Sequence, residues 1–181
     1  MRAMQPISKE ETQMTQLFAQ PYDISAVGFY FRTPEEYREM AEGARNQLGF
    51  PVEEFEIQFI DGERIDAELF EALRVNQCDF PKFFEACDTW DDDQKRKIII
   101  AVGECGYRFD LKSGDPDDFD VDIYELDSLR ELAEQFVDDG LYGEIPAPLQ
   151  YYIDYDAIAR DLGMDYTETT IAGVRLIYRC A

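Results

Sequence analysis

The spacing of apolar residues divides the chain into short strands and short helices. A β-branched and aromatic run at residues 24–31 predicts a first strand. A helix is predicted next, because residues 33–36 supply a capping threonine, a first-turn proline and two acids, and Gly49 ends the apolar periodicity. Alternation at residues 55–59 predicts a second strand. These elements predict a strand, helix, strand subdomain at residues 21–63.

The middle of the chain, residues 64–104, is predicted to be mainly helical. Asp66 is predicted to cap one helix, and the phenylalanine-rich residues 80–86 mark a second. Residues 94–102 follow three consecutive acids, Asp91–Asp93, which favour the positive end of a helix dipole. Its acidic start and its length favour a helix. Three consecutive isoleucines in that segment also suit a strand, so a strand stays open as the alternative.

A mixed C-terminal subdomain is predicted at residues 105–181. A short strand at residues 121–124 precedes a helix that Ser128 opens, and two alternating runs at residues 167–178 enclose a tight turn, which predicts a hairpin. Residues 1–20 are mostly polar and are predicted to be a mobile leader. The predicted fold class is therefore α+β, with three small subdomains.

Composition adds a strong negative charge to this picture. The 181 residues include 40 acids, 17 bases and no histidine, which gives a formal net charge of −23. The chain is also 45% hydrophobic and 14% aromatic, so it can build a core. Such a charge repels phosphates and anionic lipids, which disfavours direct binding to nucleic acid or to a membrane. The expected partner is a basic protein.

The sequence offers no catalytic or metal-binding pattern, and neither an enzyme nor a cofactor is predicted. Without histidine there is no Ser-His-Asp or Cys-His machinery. The acids at residues 115–122 resemble a calcium loop, but no register supplies both the glycine and the twelfth-position glutamate. With so many acids, some pairs reach a suggestive spacing by chance, so paired carboxylates do not indicate catalysis.

The cysteines predict a reduced chain in the cytoplasm. Cys78, Cys87, Cys105 and Cys180 contain no pair at zinc-ligand or redox spacing, and Cys180 is interpreted as a small buried residue. The first residues lack the apolar stretch of a secretory signal, and no run approaches the length of a membrane span.

The acids are concentrated between apolar segments rather than in a terminal tail. Residues 104–139 hold 13 acids and 3 bases, so many carboxylates must lie on a folded surface. By count, the net charge of −23 equals that of about 39 Å of duplex DNA, or eleven to twelve base pairs. The charge therefore permits DNA mimicry without establishing it.

Residues 134–162 resemble the C-terminal region of the ArdA-type antirestriction proteins. The resemblance is carried by the helix that enters Gly140, by residues 143–146, by Leu149 followed by residues 152–155, and by Ala159-Arg160-Asp161-Leu162. Residues 48–62 are weakly similar to the first domain of that family, so the best match is expected in the C-terminal third.

This resemblance implies a non-enzymatic DNA mimic that is elongated, acidic and three-part, and that dimerises through its C-terminal subdomain. Such a protein occupies the DNA-binding groove of type I restriction-modification enzymes and shields incoming plasmid, transposon or phage DNA. The predicted mimic surface comprises Glu35, Glu36, Glu39, Glu42, Glu53, Glu54, Asp115, Asp117, Asp118, Asp120, Asp122, Glu125, Asp138, Asp139 and Glu144. The predicted dimer interface comprises Tyr142, Tyr151, Tyr152 and Tyr155, although these tyrosines suit a core equally well.

Two other hypotheses stay open. The chain can be a binding module for another basic DNA-binding protein, such as a nucleoid protein, a nuclease or a CRISPR effector. Its acidity can also be an adaptation to high salt, because 12 of the 17 bases are arginine and lysine is scarce. Only the antirestriction hypothesis predicts competition with duplex DNA for a restriction-modification enzyme.

Overall fold

The computed structural model describes residues 14–180 and has the α+β fold that the sequence predicts. Two three-stranded antiparallel sheets are joined by short helices. The elements in chain order are β1 (Gln16–Pro21), β2 (Phe29–Phe31), α1 (Pro34–Gly43), β3 (Phe55–Asp61), α2 (Arg64–Leu73), α3 (Phe80–Thr89), α4 (Asp92–Ile98), β4 (Val121–Tyr124), α5 (Leu129–Asp138), α6 (Tyr155–Leu162), β5 (Thr167–Ile171) and β6 (Val174–Cys180). A π-helix at Ile99–Glu104 and 3₁₀ helices at Pro116–Asp118 and Ala147–Tyr152 complete this list.

The described residues form two compact units. The first contains residues 14–70 and Arg74–Thr89, and the second contains Glu71–Leu73 and residues 90–180. Their boundary falls inside the predicted middle subdomain. The division into three subdomains stays a prediction.

The first unit is built on a sheet whose central strand the sequence analysis missed. Strand β1 lies between β2 and β3, pairing Leu17 with Phe31 and Ala19 with Ile57, and Leu17 and Ala19 are fully buried. The predicted mobile leader is therefore wrong for residues 16–20, while residues 1–13 lie outside the described residues. The strand was missed because one of its core positions is a small alanine, which weakens the apolar alternation.

Two predicted boundaries in this unit are also wrong. The strand predicted at residues 24–31 is limited to β2, and Ile24 is exposed in a turn that the Asp23 side chain closes. Helix α1 begins as predicted, with the Thr33 hydroxyl accepting a hydrogen bond from the Glu36 amide. It ends at Gly43 rather than Gly49, because the following loop turns back through a bridge between Arg45 and Pro51.

The helical segments that follow begin close to where the sequence predicts. Asp66 lies within the first turn of α2 and is buried, so it is not the cap that the sequence predicted. Helix α4 starts with a capping box between Asp91 and Gln94. The helix continues into the π-helix and buries Ile98–Ile100, which excludes the alternative of a strand there.

The second unit contains the hairpin that the sequence predicts. Strand β6 lies between β4 and β5, and the turn from β5 to β6 has positive φ angles at Ala172 (51°) and Gly173 (88°). Two successive positive φ angles match the twist of a two-residue hairpin turn, and glycine adopts that conformation without a steric penalty. Helix α5 covers the sheet, and its Phe136 packs in a core with Tyr166 and Ile177.

A disulfide between Cys105 and Cys180 overturns the prediction of a fully reduced chain. The bond joins the residue after the π-helix to the end of β6, with Cα atoms 6.7 Å apart. Cys180 is therefore a bridge residue rather than a small buried one, whereas Cys78 and Cys87 are not disulfide-bonded. Sequence spacing missed the pair because 75 residues separate its members and only the tertiary fold brings them together.

Among residues 14–180, no helix is long and apolar enough to cross a membrane.

Reduction of the Cys105–Cys180 disulfide is expected to lower the free energy of unfolding by about 4 kcal/mol, because the bond closes a long loop and restricts the unfolded chain. Urea unfolding followed by fluorescence of Trp90, the single tryptophan, measures this change in the second unit. The double variant Cys78→Ser, Cys87→Ser is the control and should respond to reductant as the wild type does. Equal stability with and without reductant would contradict the structural role of the bond.

Candidate functional site

The second unit carries a group of carboxylates held by two adjacent bases, Arg96 and Lys97. We define the acidic cluster as Asp92, Asp93, Asp117 and Glu125. One Arg96 guanidinium nitrogen, Nη1, lies 3.1 Å from Asp93 Oδ1 and 4.0 Å from Glu125 Oε2, and Nη2 lies 4.0 Å from Asp92 Oδ2. The Arg96 side chain is only 14% exposed, whereas that of Asp93 is 90% exposed. The Arg96 guanidinium is thus more buried than the carboxylates that surround it.

Lys97 holds the fourth member of the acidic cluster. Its Nζ lies 2.9 Å from Asp117 Oδ1, and the Gln94 side-chain amide donates a 3.1 Å hydrogen bond to Asp117 Oδ2. The hydrogen bond from Lys97 is the main cause that lowers the pKa of Asp117, and that from Gln94 adds to it. Asp117 therefore stays ionised in weakly acidic solution and loses its charge only as the pH falls through this lowered pKa.

Helix α4 explains why this arrangement forms locally. Asp92 and Asp93 lie in its first turn, where they meet the positive end of the helix dipole, and Lys95–Lys97 follow before the helix continues into the π-helix. Spacings of three and four residues also bring Arg96 to Asp93 and Asp92. Glu125 comes from the end of β4, so the acidic cluster also needs the fold of the second unit.

The predicted mimic residues between 115 and 122 differ in their exposure and in the contacts that their side chains make. Asp118 and Asp120 are exposed. Asp115 is exposed too, but its side chain accepts a 2.9 Å hydrogen bond from the Asp117 amide and caps a 3₁₀ helix. Asp122 is half-buried and pairs with Arg179 at 2.6 Å, so it is less accessible to a partner than the exposed acids.

The remaining predicted mimic residues are exposed as well, at three other places. Helix α1 presents four glutamates and buries no residue, and the Glu36 side chain also accepts a 2.7 Å hydrogen bond from the Arg32 amide. Two more glutamates precede β3, and the last three acids lie at and after the end of α5. These residues are Glu35, Glu36, Glu39, Glu42, Glu53, Glu54, Asp138, Asp139 and Glu144. Exposure is what a mimic surface requires, but their role stays a prediction.

The predicted interface tyrosines lie in an exposed segment after α5. The 3₁₀ helix at Ala147–Tyr152 buries no residue, and the Tyr151 side chain is 94% exposed. Tyr152 and Tyr142 are exposed as well, which leaves these three out of the core. Tyr155 differs because it is half-buried, with its ring centre 5.9 Å from the guanidinium of Arg130.

The sequence analysis missed Asp92 and Asp93 as surface candidates, because it assigned the run Asp91–Asp93 to helix initiation alone. The sequence did contain a signal for them: a base follows these acids at the spacing of three and four residues that forms ion pairs on a helix surface. No group of three or more cysteines and acids within residues 14–180 is arranged to hold a metal ion.

The model of a known protein family matches the chain. The family model described as antirestriction protein (ArdA) matches residues 1–175. The match extends through nearly the whole chain and does not bear out the expectation of a best match in the C-terminal third. No curated protein gives a significant match to the chain.

We expect Arg96→Gln to lower the free energy of unfolding by about 2 kcal/mol at low salt, because the acidic cluster loses the charge beneath it. Arg160→Gln is the matched control, since it removes the same charge from an exposed position in the same unit. Urea unfolding followed by Trp90 fluorescence measures both variants. The difference between them should shrink in about 0.5 M NaCl. Equal stability of the two variants at low salt would show that Arg96 does not hold the acidic cluster.

Proposed function

Because the chain belongs to the ArdA antirestriction family, we propose that it inhibits a type I restriction-modification enzyme by occupying the enzyme's DNA-binding groove in place of DNA. The proposal assigns no catalytic step to this protein. Inhibition follows from stoichiometric occupation of a basic groove, and incoming DNA is thereby protected from cleavage.

The observation that carries this proposal is the acidic cluster. A random acidic surface would let its carboxylates move apart, because repulsion among like charges favours separation. Here Arg96 holds three carboxylates and the adjacent Lys97 holds a fourth, and all four stay exposed to a partner. A fixed array of negative groups is what a groove built for phosphates recognises.

The energetics of such binding are collective. Each exposed carboxylate contributes less than about 1 kcal/mol, because solvent and salt screen it. Many of them together attract a basic groove, and dissolved ions weaken this attraction by screening both surfaces. The resulting affinity should fall steeply as the salt concentration rises, which is the behaviour of protein–DNA complexes themselves.

The exposed tyrosines support a second part of the proposal, a homodimer. Tyr151 and Tyr152 share residues 141–152 with exposed Leu141 and Leu149, so this segment presents large apolar groups to solvent. Exposed clusters of this kind mark protein interfaces, where tyrosine is enriched. Two copies joined there would double the charge available to one target.

We expect the purified protein to release labelled duplex from a type I methyltransferase core, and to do so less well as salt is raised. Reversal of two exposed charges in Asp118→Lys, Asp120→Lys should weaken release about tenfold or more. The matched control, Asp161→Lys, Asp165→Lys, changes the net charge equally at exposed positions outside the predicted mimic surface. An equal loss in both variants would mean that net charge alone governs binding. If the wild type releases no duplex at every salt concentration tested, the proposed function is refuted.

The dimer has its own test by sedimentation velocity at micromolar concentration. We expect the wild type to sediment as a dimer and Tyr151→Ser, Tyr152→Ser as a monomer, because the substitutions remove the apolar contact. Met164→Ser removes an exposed apolar side chain from another part of the same unit and should leave the dimer intact. A monomeric wild type would count against this interface.

A further inference from the structure

We propose that two ordered apolar loops of the first unit form a second contact with the target protein, one that inserts into an apolar depression flanked by basic residues. We name them the paired loops and define them as residues 22–27 and 46–50. The inference rests on the proposed function for its partner, but it concerns a surface that phosphate mimicry does not require.

The paired loops expose aliphatic and aromatic side chains. Ile24 is 98% exposed and Leu48 is 79% exposed, and Tyr22, Val27 and Phe50 are exposed too. Single exposed apolar residues are common on protein surfaces, but five in two neighbouring loops are not a scattered distribution.

One amide side chain orders both loops. Asn46 Oδ1 accepts hydrogen bonds from the amides of Leu48 (3.0 Å) and Phe50 (2.9 Å). Asn46 Nδ2 donates a 2.9 Å hydrogen bond to Asp23 Oδ2 in the other loop. Asp23 Oδ1 in turn accepts from the amide and the hydroxyl of Ser25. The two loops are thus joined through the Asn46–Asp23 pair and hold their side chains on a defined backbone.

Further backbone contacts fix the paired loops to the unit. The Tyr22 amide donates to the Glu54 carbonyl at 3.2 Å, at the start of β3. In the other loop the Gly49 amide donates to the Asn46 carbonyl at 2.9 Å, and Gly49 has a φ of 84°, a conformation that favours glycine. A surface that is ordered before binding loses less conformational entropy when it binds.

Charge decides what can cover the paired loops. Residues 22–54 contain seven acids and three bases, so the loops lie in a negatively charged segment. This charge repels nucleic acid and anionic lipid, and it repels a second copy of the same segment. It attracts a basic protein surface. The apolar side chains need a protein partner with an apolar depression, so the occupant is a basic DNA-binding protein contacted beside its DNA groove.

The contact would add affinity that salt does not weaken. Ion pairing with the groove is lost as salt is raised, whereas burial of aliphatic side chains is not. Removing apolar side chains should therefore weaken binding at every salt concentration, without changing the slope of log affinity against log salt. Removing carboxylates should reduce that slope.

Release of labelled duplex from the methyltransferase core, measured at several salt concentrations, tests the inference. We expect Ile24→Ser, Leu48→Ser to weaken release about tenfold or more at an unchanged salt slope. Ile60→Ser is the control, since it removes an exposed apolar side chain near the other end of β3, roughly 20 Å along the strand from Glu54. Asn46→Ala keeps all five apolar side chains but removes the link between the loops, so it should weaken release by a smaller factor. Circular dichroism verifies that each variant is folded.

The outcomes separate this inference from the proposed function. If the wild type releases duplex and Ile24→Ser, Leu48→Ser releases it equally well, the paired loops do not contact the target and the inference fails alone. If the wild type releases no duplex, the proposed function fails. If the double variant changes the sedimentation of the free protein from dimer to monomer, the paired loops are an interface between copies and the inference is overturned.

Discussion

Mutual repulsion among carboxylates is the constraint on which this structure depends. The chain carries 40 acids against 17 bases, so bases are too few to pair every acid. In the second unit Arg96 lies under the acids that it pairs with, rather than beside them on the surface. A partly buried cation is less screened by water and salt than an exposed one, so it offsets more of the repulsion.

The apolar interior must then supply stability that the surface does not. In the first unit this interior is largely aromatic, with Phe31, Tyr37 and Phe80 packed at ring-centre distances of 4.5 to 5.1 Å. Tilted and edge-to-face rings bury much area with few residues, which suits a unit with short helices and a three-stranded sheet. The second unit adds the Cys105–Cys180 disulfide, which ties its last strand to the end of the π-helix.

Charge and apolar surface have different parts in the function we propose. Carboxylates attract many basic grooves, so on their own they give affinity with little discrimination among DNA-binding proteins. The paired loops and the exposed tyrosines offer contacts that need a complementary protein surface. In the proposed complex the acids take the place of the DNA phosphates. The apolar groups make contacts with the target that DNA does not make.

The sequence by itself determined the features that rest on near neighbours. The hydroxyls and carboxylates of Thr33, Asp91 and Ser128 mark helix starts because a cap acts on amides only a few residues away. The turn at Ala172-Gly173 and the net charge could be predicted from the sequence for the same reason, since neither depends on distant residues. Sequence also predicted an exposed acidic surface between residues 104 and 139.

Only the tertiary structure decided which distant groups meet. It placed β1 at the centre of a sheet, joined Cys105 to Cys180, and brought Glu125 to the Arg96 side chain. It also linked the loops of Asp23 and Asn46, which no local pattern predicts. These pairings depend on strand order and register, and local sequence spacing does not encode the distance between residues that are far apart in the chain.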